Sequence, residues 1–153
     1  MKYSGLCIAV KDVNLSKEFY QEIFGLEVFQ DYGIHVSFGE FAIQQDFDWL
    51  VGVPKENVIE KPNNMELYFE EDDFDEFIKK LKSRDDIQYL GDVKEAGWGQ
   101  RSIRFYDLDG HIIEVGETLR MVIKRFLDSG MSIEETSKRM DVSVSDLEKL
   151  LKN

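Results

Sequence analysis

The 153-residue chain has the length of one ordinary globular domain, and its 42% hydrophobic residues are enough to bury a core. Two prolines and 12% aromatic residues argue against disordered and fibrous classes. The formal net charge is −12, and residues 117–153 carry equal numbers of acidic and basic side chains, so the acidic excess lies in residues 1–116. Such a charge repels nucleic-acid backbones, and we expect no nucleic-acid partner.

The N-terminal segment and the cysteine content indicate a reducing compartment. The single cysteine, Cys7, has no partner for an internal disulfide. The start MKYSGLCIAV has one lysine before a short apolar stretch that Lys11 and Asp12 interrupt. This pattern fits neither a signal peptide nor a membrane span. We therefore expect a cytoplasmic protein without membrane contact.

The first regular pattern, in residues 4–24, predicts a strand followed by a helix. An apolar run leads to a turn at Asp12, and the apolar residues from Phe19 to Phe24 then recur at three- and four-residue spacing. The strand-like runs that follow are residues 26–30, 34–38 and 41–45.

The same strand, turn and helix pattern returns in residues 65–81, at an offset of about 61 residues. Asp73 takes the place of Asp12 and supplies an acidic residue suited to begin a helix. Asp109-Gly110 is typical of a tight hairpin turn. The strand-like runs of this half are residues 88–93, 100–106 and 111–115.

Each half of residues 1–116 thus predicts a βαβββ module within an α+β fold. The predicted organisation is module 1–45, linker 46–64, module 65–116 and a helical tail 117–153 with helices at 117–129, 133–140 and 145–152.

The tail resembles a helix-turn-helix. Capping boxes at Ser132–Glu135 and Ser145–Glu148 predict two short helices. The second helix would carry Asp146 and Glu148, which repel phosphates, where such motifs present basic and polar residues to bases. A helical element that packs on the core or mediates association is therefore the preferred interpretation, with a DNA-binding regulator as the alternative.

Motifs in residues 1–116 resemble the vicinal oxygen chelate superfamily, which includes glyoxalase I, bleomycin-resistance proteins, fosfomycin-resistance enzymes and extradiol dioxygenases. The duplicated βαβββ pattern is one part of the resemblance. The other part is two motifs, formed by Val10, Asp12, Ser16, Phe19, Tyr20, Phe24, Gly25 and Leu26, and by Trp98, Gly99, Arg101, Asp107, Asp109, Gly110, His111 and Glu114.

The resemblance implies that the two modules form a half-open barrel, with a divalent metal held between them in catalytic members. The implied ligand positions are Gly5, Gln44, Glu66 and Glu114. Glycine has no side chain to donate, so the implied metal ligands are Gln44, Glu66 and Glu114. Three oxygen donors favour Mn²⁺ or Mg²⁺ over Zn²⁺.

Glu66 and Glu114 are also the predicted catalytic residues. Each alternates with apolar neighbours in its strand and so faces either a pocket or solvent. Two inward carboxylates would repel, and the pKa of one would be raised. That arrangement suits proton abstraction beside a carbonyl, metal binding or capture of a cationic ligand, and the sequence leaves these open.

The remaining predicted ligand-binding residues are aromatic or basic. Trp98 is expected at the pocket mouth, where its ring can stack on a ligand, and Arg101 follows it in the same motif. Trp49 is expected over the cleft or against a partner subunit, and His35 could supply a nitrogen to the site. His111, directly after the Asp-Gly turn, is expected to be structural.

Together these features predict a glyoxalase-like or bleomycin-resistance-like protein that binds a small molecule between its modules, with lyase or isomerase chemistry as an option. A non-catalytic protein that sequesters a cationic compound, or a ligand-sensing regulator acting through the tail, is the alternative. We also expect a homodimer with contacts from Phe47, Trp49 and the helix at 117–129.

Overall fold

The computed structural model describes residues 1–152. The chain folds into two compact units. Unit 1 comprises Met1–Met65 and Tyr106–Ile112, and unit 2 comprises Glu66–Phe105 and the chain from Ile113 onward. Each unit contributes one sheet, and the helices confirm the predicted α+β class. None of the helices in residues 1–152 has the length and apolar character needed to cross a membrane.

Unit 1 contains the first βαβββ module. Its sheet has the order β1-β4-β3-β2, with β1 parallel to β4 and the other pairs antiparallel. The elements are β1 (Leu6–Ala9), α1 (Val13–Phe24), β2 (Gln30–Asp31), β3 (His35–Ser37) and β4 (Phe41–Gln44).

Helix α1 begins and ends where its sequence dictates. The Asp12 side chain accepts hydrogen bonds from the backbone N–H groups of Asn14 and Leu15. Gly25 ends the helix in a left-handed conformation. The buried face carries Tyr20, whose ring is fully enclosed and packs edge-on against Phe41 of β4. This face anchors the helix to the sheet.

The segment predicted as a linker is partly helical. Helix α2 (Phe47–Val51) is followed by a single 3-10 turn at Lys55–Asn57. No residue of α2 is buried, which explains why its sequence lacks the apolar periodicity of a packed helix.

Unit 2 contains the second module and the tail. Its sheet has the order β5-β9-β8-β6, and β7 pairs with β8 antiparallel. The strand predicted at 88–93 is shorter, at Gln88–Tyr89: Gly91, with a φ of 154°, follows it, and the next strand begins only at Lys94. The elements are β5 (Glu66–Glu71), α3 (Phe74–Lys82), β6 (Gln88–Tyr89), β7 (Lys94–Glu95), β8 (Arg101–Tyr106) and β9 (Ile112–Glu117).

The tail folds into three helices around an apolar cluster of its own, which buries Val122, Ile123, Phe126, Met140 and Leu147. These helices are α4 (Leu119–Asp128), α5 (Ile133–Met140) and α6 (Val144–Lys152).

One of the two predicted capping boxes forms. Ser132 and Glu135 make the reciprocal side-chain to backbone hydrogen bonds at the start of α5. The box predicted at Ser145–Glu148 is wrong, because α6 begins at Val144. Ser143, directly before it, accepts from the backbone N–H of Asp146 instead.

Candidate functional site

The carboxylates predicted as catalytic lie together at one cavity of unit 2. This cavity has a volume of about 460 Å³, which is within the usual size range of small-molecule sites. Strands β5, β8 and β9 supply Glu66, Arg104 and Glu114 to its lining, and the loop before β8 supplies Trp98. Two predicted catalytic residues and one predicted ligand-binding residue thus share a pocket.

Arg104 lines this cavity and contacts both carboxylates, and the sequence did not single it out. Its guanidinium forms an ion pair with Glu114, and its Nε lies 3.6 Å from Glu66 Oε2. The Glu114 side chain is only 11% exposed, whereas the Glu66 side chain is 45% exposed. One cation therefore serves two carboxylates, and the more buried of the two makes the closer contact.

The pKa of Glu66 is raised, since Arg104 makes its closer contact with Glu114 and does not offset the effect of burial. Partial burial raises its pKa above the ordinary glutamate value, and a hydrogen bond to Glu114 and the charge of Glu114 raise it further, against the opposing effect of Arg104. A hydrogen bond between two carboxyl groups requires a proton on one of them. Of the two carboxyl groups, Glu66 is therefore the one whose protonated form is favoured relative to an ordinary glutamate.

Trp98 has an exposed ring held in a defined orientation. Its indole Nε1–H donates to Gln100 Oε1 over 3.1 Å, and the Gln100 amide donates to the Tyr68 hydroxyl over 2.8 Å. All three residues line the cavity, and Trp98 itself is 48% exposed. The ring offers a flat apolar wall beside the carboxylates.

Arg101, also predicted to bind ligand, is engaged in a structural ion-pair cluster of unit 2. Its guanidinium contacts both Asp75 and the buried Glu117, and Arg125 of α4 contacts Glu117 as well. Burial alone would raise the pKa of Glu117, but the hydrogen bonds from the two arginines outweigh it and lower that pKa. The contacts of Glu117 with Arg125 attach α4 to the sheet.

Gln44 and His35, the site residues predicted in the first module, are hydrogen-bonded to each other in unit 1. The His35 Nδ1 lies 2.8 Å from Gln44 Oε1, and the Gln44 amide donates to the Gln45 backbone carbonyl. Gln44 is almost completely buried. Its side-chain carbonyl thus orients the His35 ring.

Trp49, the last predicted ligand-binding residue, lies on α2 in unit 1. Its side chain is 71% exposed, which leaves it open to a ligand or a second subunit.

Gly5 leaves the first of the implied ligand positions without a donor for a backbone reason. It adopts φ 138°, and a Cβ atom there would lie 2.3 Å from the carbonyl oxygen of Glu40. The neighbouring Leu6 N–H donates to that same oxygen over 2.8 Å. Glycine is therefore required at this position by the close approach of the two backbones.

The implied metal ligands, as engaged in this fold, do not suit a resident divalent cation. Glu114 is paired with Arg104, Glu66 Oε2 lies 3.6 Å from Nε of the same arginine, and Gln44 Oε1 lies 2.8 Å from His35 Nδ1. Within residues 1–152, no group of three or more His, Cys, Asp or Glu side chains is arranged to hold a metal ion. We assign no step to a metal.

Comparisons with known proteins agree on one family. A protein-family model described as a glyoxalase-like domain matches residues 3–120. A structure of a protein of unknown function from Agrobacterium tumefaciens is 34% identical, with a TM-score of 0.67, and the alignment covers 78% of this chain and 95% of that chain. No curated protein matches the chain.

Two more distant structures share the fold. A glyoxalase/bleomycin resistance protein/dioxygenase family enzyme from Burkholderia phytofirmans is 13% identical, with a TM-score of 0.67 and coverage of 78% of this chain and 100% of that one. A genomically encoded fosfomycin resistance protein from Listeria monocytogenes is 22% identical, with a TM-score of 0.57 and coverage of 80% and 98%.

Proposed function

Because the chain belongs to the glyoxalase-like domain family, we propose that it binds a small molecule in the cavity of unit 2. The observation that carries the proposal is the placement of Glu66, Arg104 and Glu114 beside the exposed ring of Trp98 in one cavity. A few convergent polar groups next to an apolar wall are the usual composition of a small-molecule site.

The charge balance of the cavity favours an organic cation as the ligand. Glu66, Glu95 and Glu114 oppose Lys94 and Arg104 in the lining. Since Arg104 makes its closer contact with Glu114, the partly exposed carboxylate of Glu66 is the more available of its two partners. A cation that stacks on Trp98 would gain from both the ring and this carboxylate.

The proposal can be tested by tryptophan fluorescence with benzyltrimethylammonium as the probe. In a Trp49→Phe background Trp98 is the sole tryptophan, so saturable quenching reports binding at this cavity. Glu66→Gln should weaken binding about two- to fivefold, the range for a partly exposed ion pair. Glu148→Gln, an exposed site on α6, is the matched control and should change nothing.

Trp98→Ala should weaken binding, measured by calorimetry, by about 1–2 kcal/mol if the ring stacks on the cation. Equal binding of the uncharged analogue benzyl alcohol, or an unchanged dissociation constant in Glu66→Gln, would contradict a cation site.

The raised pKa of Glu66 favours a second candidate function, an isomerase or lyase that moves a proton beside a carbonyl. Glu66 would accept the proton, while Arg104 would stabilise the oxygen on which negative charge develops. The test is exchange of the carbon-bound protons of dihydroxyacetone in D₂O, followed by NMR. Exchange above the buffer rate that is lost in Glu66→Gln would support catalysis, and exchange at the buffer rate would leave the binding function alone.

We further propose a cytoplasmic homodimer that uses α2. Trp49, Leu50 and Val51 are exposed apolar residues on this helix and support the dimer contact. The free thiol of Cys7 supports the cytoplasmic location, because thiols stay reduced there. The apolar face of α4 is a weaker contact than the sequence predicts, because Val122 and Ile123 are buried in the tail's own cluster. Light scattering of wild type and Trp49→Glu tests this: a dimer that the variant dissociates is expected, and a wild-type monomer would refute it.

A further inference from the structure

Unit 1 has a larger cavity that the proposed function does not use. Its volume is about 710 Å³, and it lies between the end of β1, α2, the segment after α2 and the turn 107–111. Phe47, Val58 and Ile59 give it an apolar side, and five carboxylates and two lysines are also in its lining. The size and mixed lining match those of small-molecule sites.

One imidazole in the lining of this cavity is fixed in position by a buried carboxylate. His111 Nδ1 lies 2.8 Å from Asp107 Oδ2, and both side chains are at least nine-tenths buried. An ionised carboxylate only accepts hydrogen bonds, so Nδ1 must be the donor. In the neutral ring this leaves Nε2 as an acceptor.

Asp107 is itself firmly held, which makes it a reliable anchor for the ring. Its carboxylate accepts from the Tyr20 hydroxyl over 2.8 Å and from the backbone N–H groups of Asp109 and His111. Burial alone would raise the pKa of Asp107, but the hydrogen bond and charge of His111, together with the Tyr20 hydroxyl, outweigh it and lower that pKa. The orientation of His111 is therefore imposed by several fixed groups at once.

The second nitrogen of His111 has no hydrogen-bond partner within residues 1–152 and is not buried. Within residues 1–152 the hydrogen bonds of His111 involve its backbone N–H and Nδ1, and none involves Nε2. Every buried side-chain nitrogen and oxygen in the same residues has a partner, so Nε2 cannot be buried. His111 is also one of the residues that line the cavity.

The charges around the cavity favour a positively charged ligand at that nitrogen. Lys11 is paired with Glu60 over 2.9 Å, so the acidic excess of the lining remains with the other carboxylates. Asp109 accepts from the Lys11 backbone N–H and the Ser16 hydroxyl and lines the cavity with His111. An acceptor nitrogen in an acidic, partly apolar cavity is complementary to an ammonium group on an apolar body.

We propose that the cavity of unit 1 is a second ligand site, in which His111 Nε2 and Asp109 bind the ammonium group of a primary amine and Phe47, Val58 and Ile59 contact its apolar part. This site goes beyond the proposed function, uses no residue of the unit 2 cavity and requires no metal. His111 is a binding residue here, and Asp107 is its positioning residue.

Nitrogen-resolved NMR of the full chain can test this site directly, because the protein has two histidines and two tryptophans. The first expected result is that the neutral His111 ring carries its proton on Nδ1, the nitrogen that faces Asp107. Titration with 2-phenylethylammonium should then shift the His111 Nε2 signal saturably and leave that of His35, which is bound to Gln44, in place.

The same spectra separate this site from the cavity of unit 2. Binding in unit 2 would shift the indole signal of Trp98 without shifting that of His111. A ring protonated at Nε2 instead of Nδ1, a shift confined to Trp98, or equal binding of the uncharged 2-phenylethanol would each overturn the proposal.

Two variants test the residues. Asp109→Asn should weaken 2-phenylethylammonium binding about two- to fivefold, as expected for a partly exposed ion pair, whereas Asp12→Asn at the start of α1 is an acidic control outside the cavity lining. His111→Asn keeps a donor for Asp107 but removes Nε2, and it should abolish saturable binding measured by calorimetry. Wild-type affinity in a folded His111→Asn protein would refute the role of Nε2, and if that variant fails to fold, the wild-type titration still decides.

Discussion

Unit 2 has two clusters of carboxylates and arginines built on strands β8 and β9, and they differ in the ratio of arginines to carboxylates. Arg101 and Arg104 lie three residues apart on β8, and Glu114 and Glu117 lie three residues apart on β9. Glu117 is held by two arginines, and its pKa is lowered. At the other cluster one arginine serves Glu66 and Glu114, and the pKa of Glu66 is raised.

The comparison shows that arginine partners decide whether the effect of burial on a carboxylate's pKa is overcome: two arginines overcome it at Glu117, and the one that Glu66 shares with Glu114 does not. Glu117 is the more buried, at 2% exposure, yet its charge is satisfied. Glu66 is the more exposed, yet it is the one that holds a proton more readily. The following predictions are ordered from the largest expected effect to the smallest.

Glu117→Gln should be strongly destabilising. It leaves Arg101 and Arg125 facing a neutral amide in a partly enclosed place, and loss of one partner from such a pair costs about 3 kcal/mol. Urea unfolding followed by circular dichroism should show a lower midpoint with an unchanged slope. A midpoint shift no larger than that of the exposed control Glu148→Gln would show that the two-to-one balance contributes little to stability.

Asp107→Asn extends the comparison to a carboxylate of unit 1 that is satisfied by neutral donors and His111. We expect a loss of about 2 kcal/mol, typical of hydrogen bonds to a buried charged group. Since folding lowers the pKa of Asp107 below its ordinary value of 3.8, its contribution is present above that pH and is lost as the pH falls through the lower folded pKa. The difference between wild type and variant should therefore shrink in acid, and a difference that is constant from pH 7 to pH 2 would contradict the assignment.

Glu66→Gln should change stability by less than about 1 kcal/mol at neutral pH, because the side chain is nearly half exposed. Its folded pKa is raised, so the contribution of Glu66 is present below the ordinary value of 4.5 and is lost as the pH rises through the folded pKa. The variant should lack this loss as the pH rises above 4.5 in a series of melting curves. A variant as sensitive as wild type in that range would assign the titration to another group.

Metal removal should have the smallest effect. If Arg104 is the resident cation partner of Glu66 and Glu114, treatment with EDTA leaves the melting temperature unchanged, and elemental analysis finds no stoichiometric Zn²⁺. One zinc per chain, or robust turnover of a hemithioacetal, would show that the two carboxylates serve a metal instead.

The elements that could be predicted from sequence are those specified by neighbouring residues. Asp12, Asp73 and Ser132 each cap the helix that follows them, because capping depends on atoms within three residues. The strand predicted at 26–30 is shorter and later, at Gln30–Asp31, because its ends are set by pairing with β3 and pairing is not visible in a local pattern.

In the candidate site, too, contacts between residues distant in sequence could not be predicted. Glu66, Glu114 and Trp98 could be predicted because motifs and alternation mark them. Arg104 could not, since Glu114 lies on the adjacent strand β9 and Glu66 on β5 beyond it, and the sequence does not specify the order or register of these strands. The cavity of unit 1 was missed for a related reason, because much of its lining comes from residues 46–60, whose short helix and turn bury nothing and leave no periodic pattern.

The backbone contact at Gly5 limits how this chain can be engineered. A donor side chain cannot be introduced at position 5 by one substitution, since its Cβ would overlap the Glu40 carbonyl and the φ of 138° is unfavourable for any other residue. Gaining such a ligand would first require β1 and the turn at Gly39 and Glu40 to separate, which would disturb the pairing of β1 with β4.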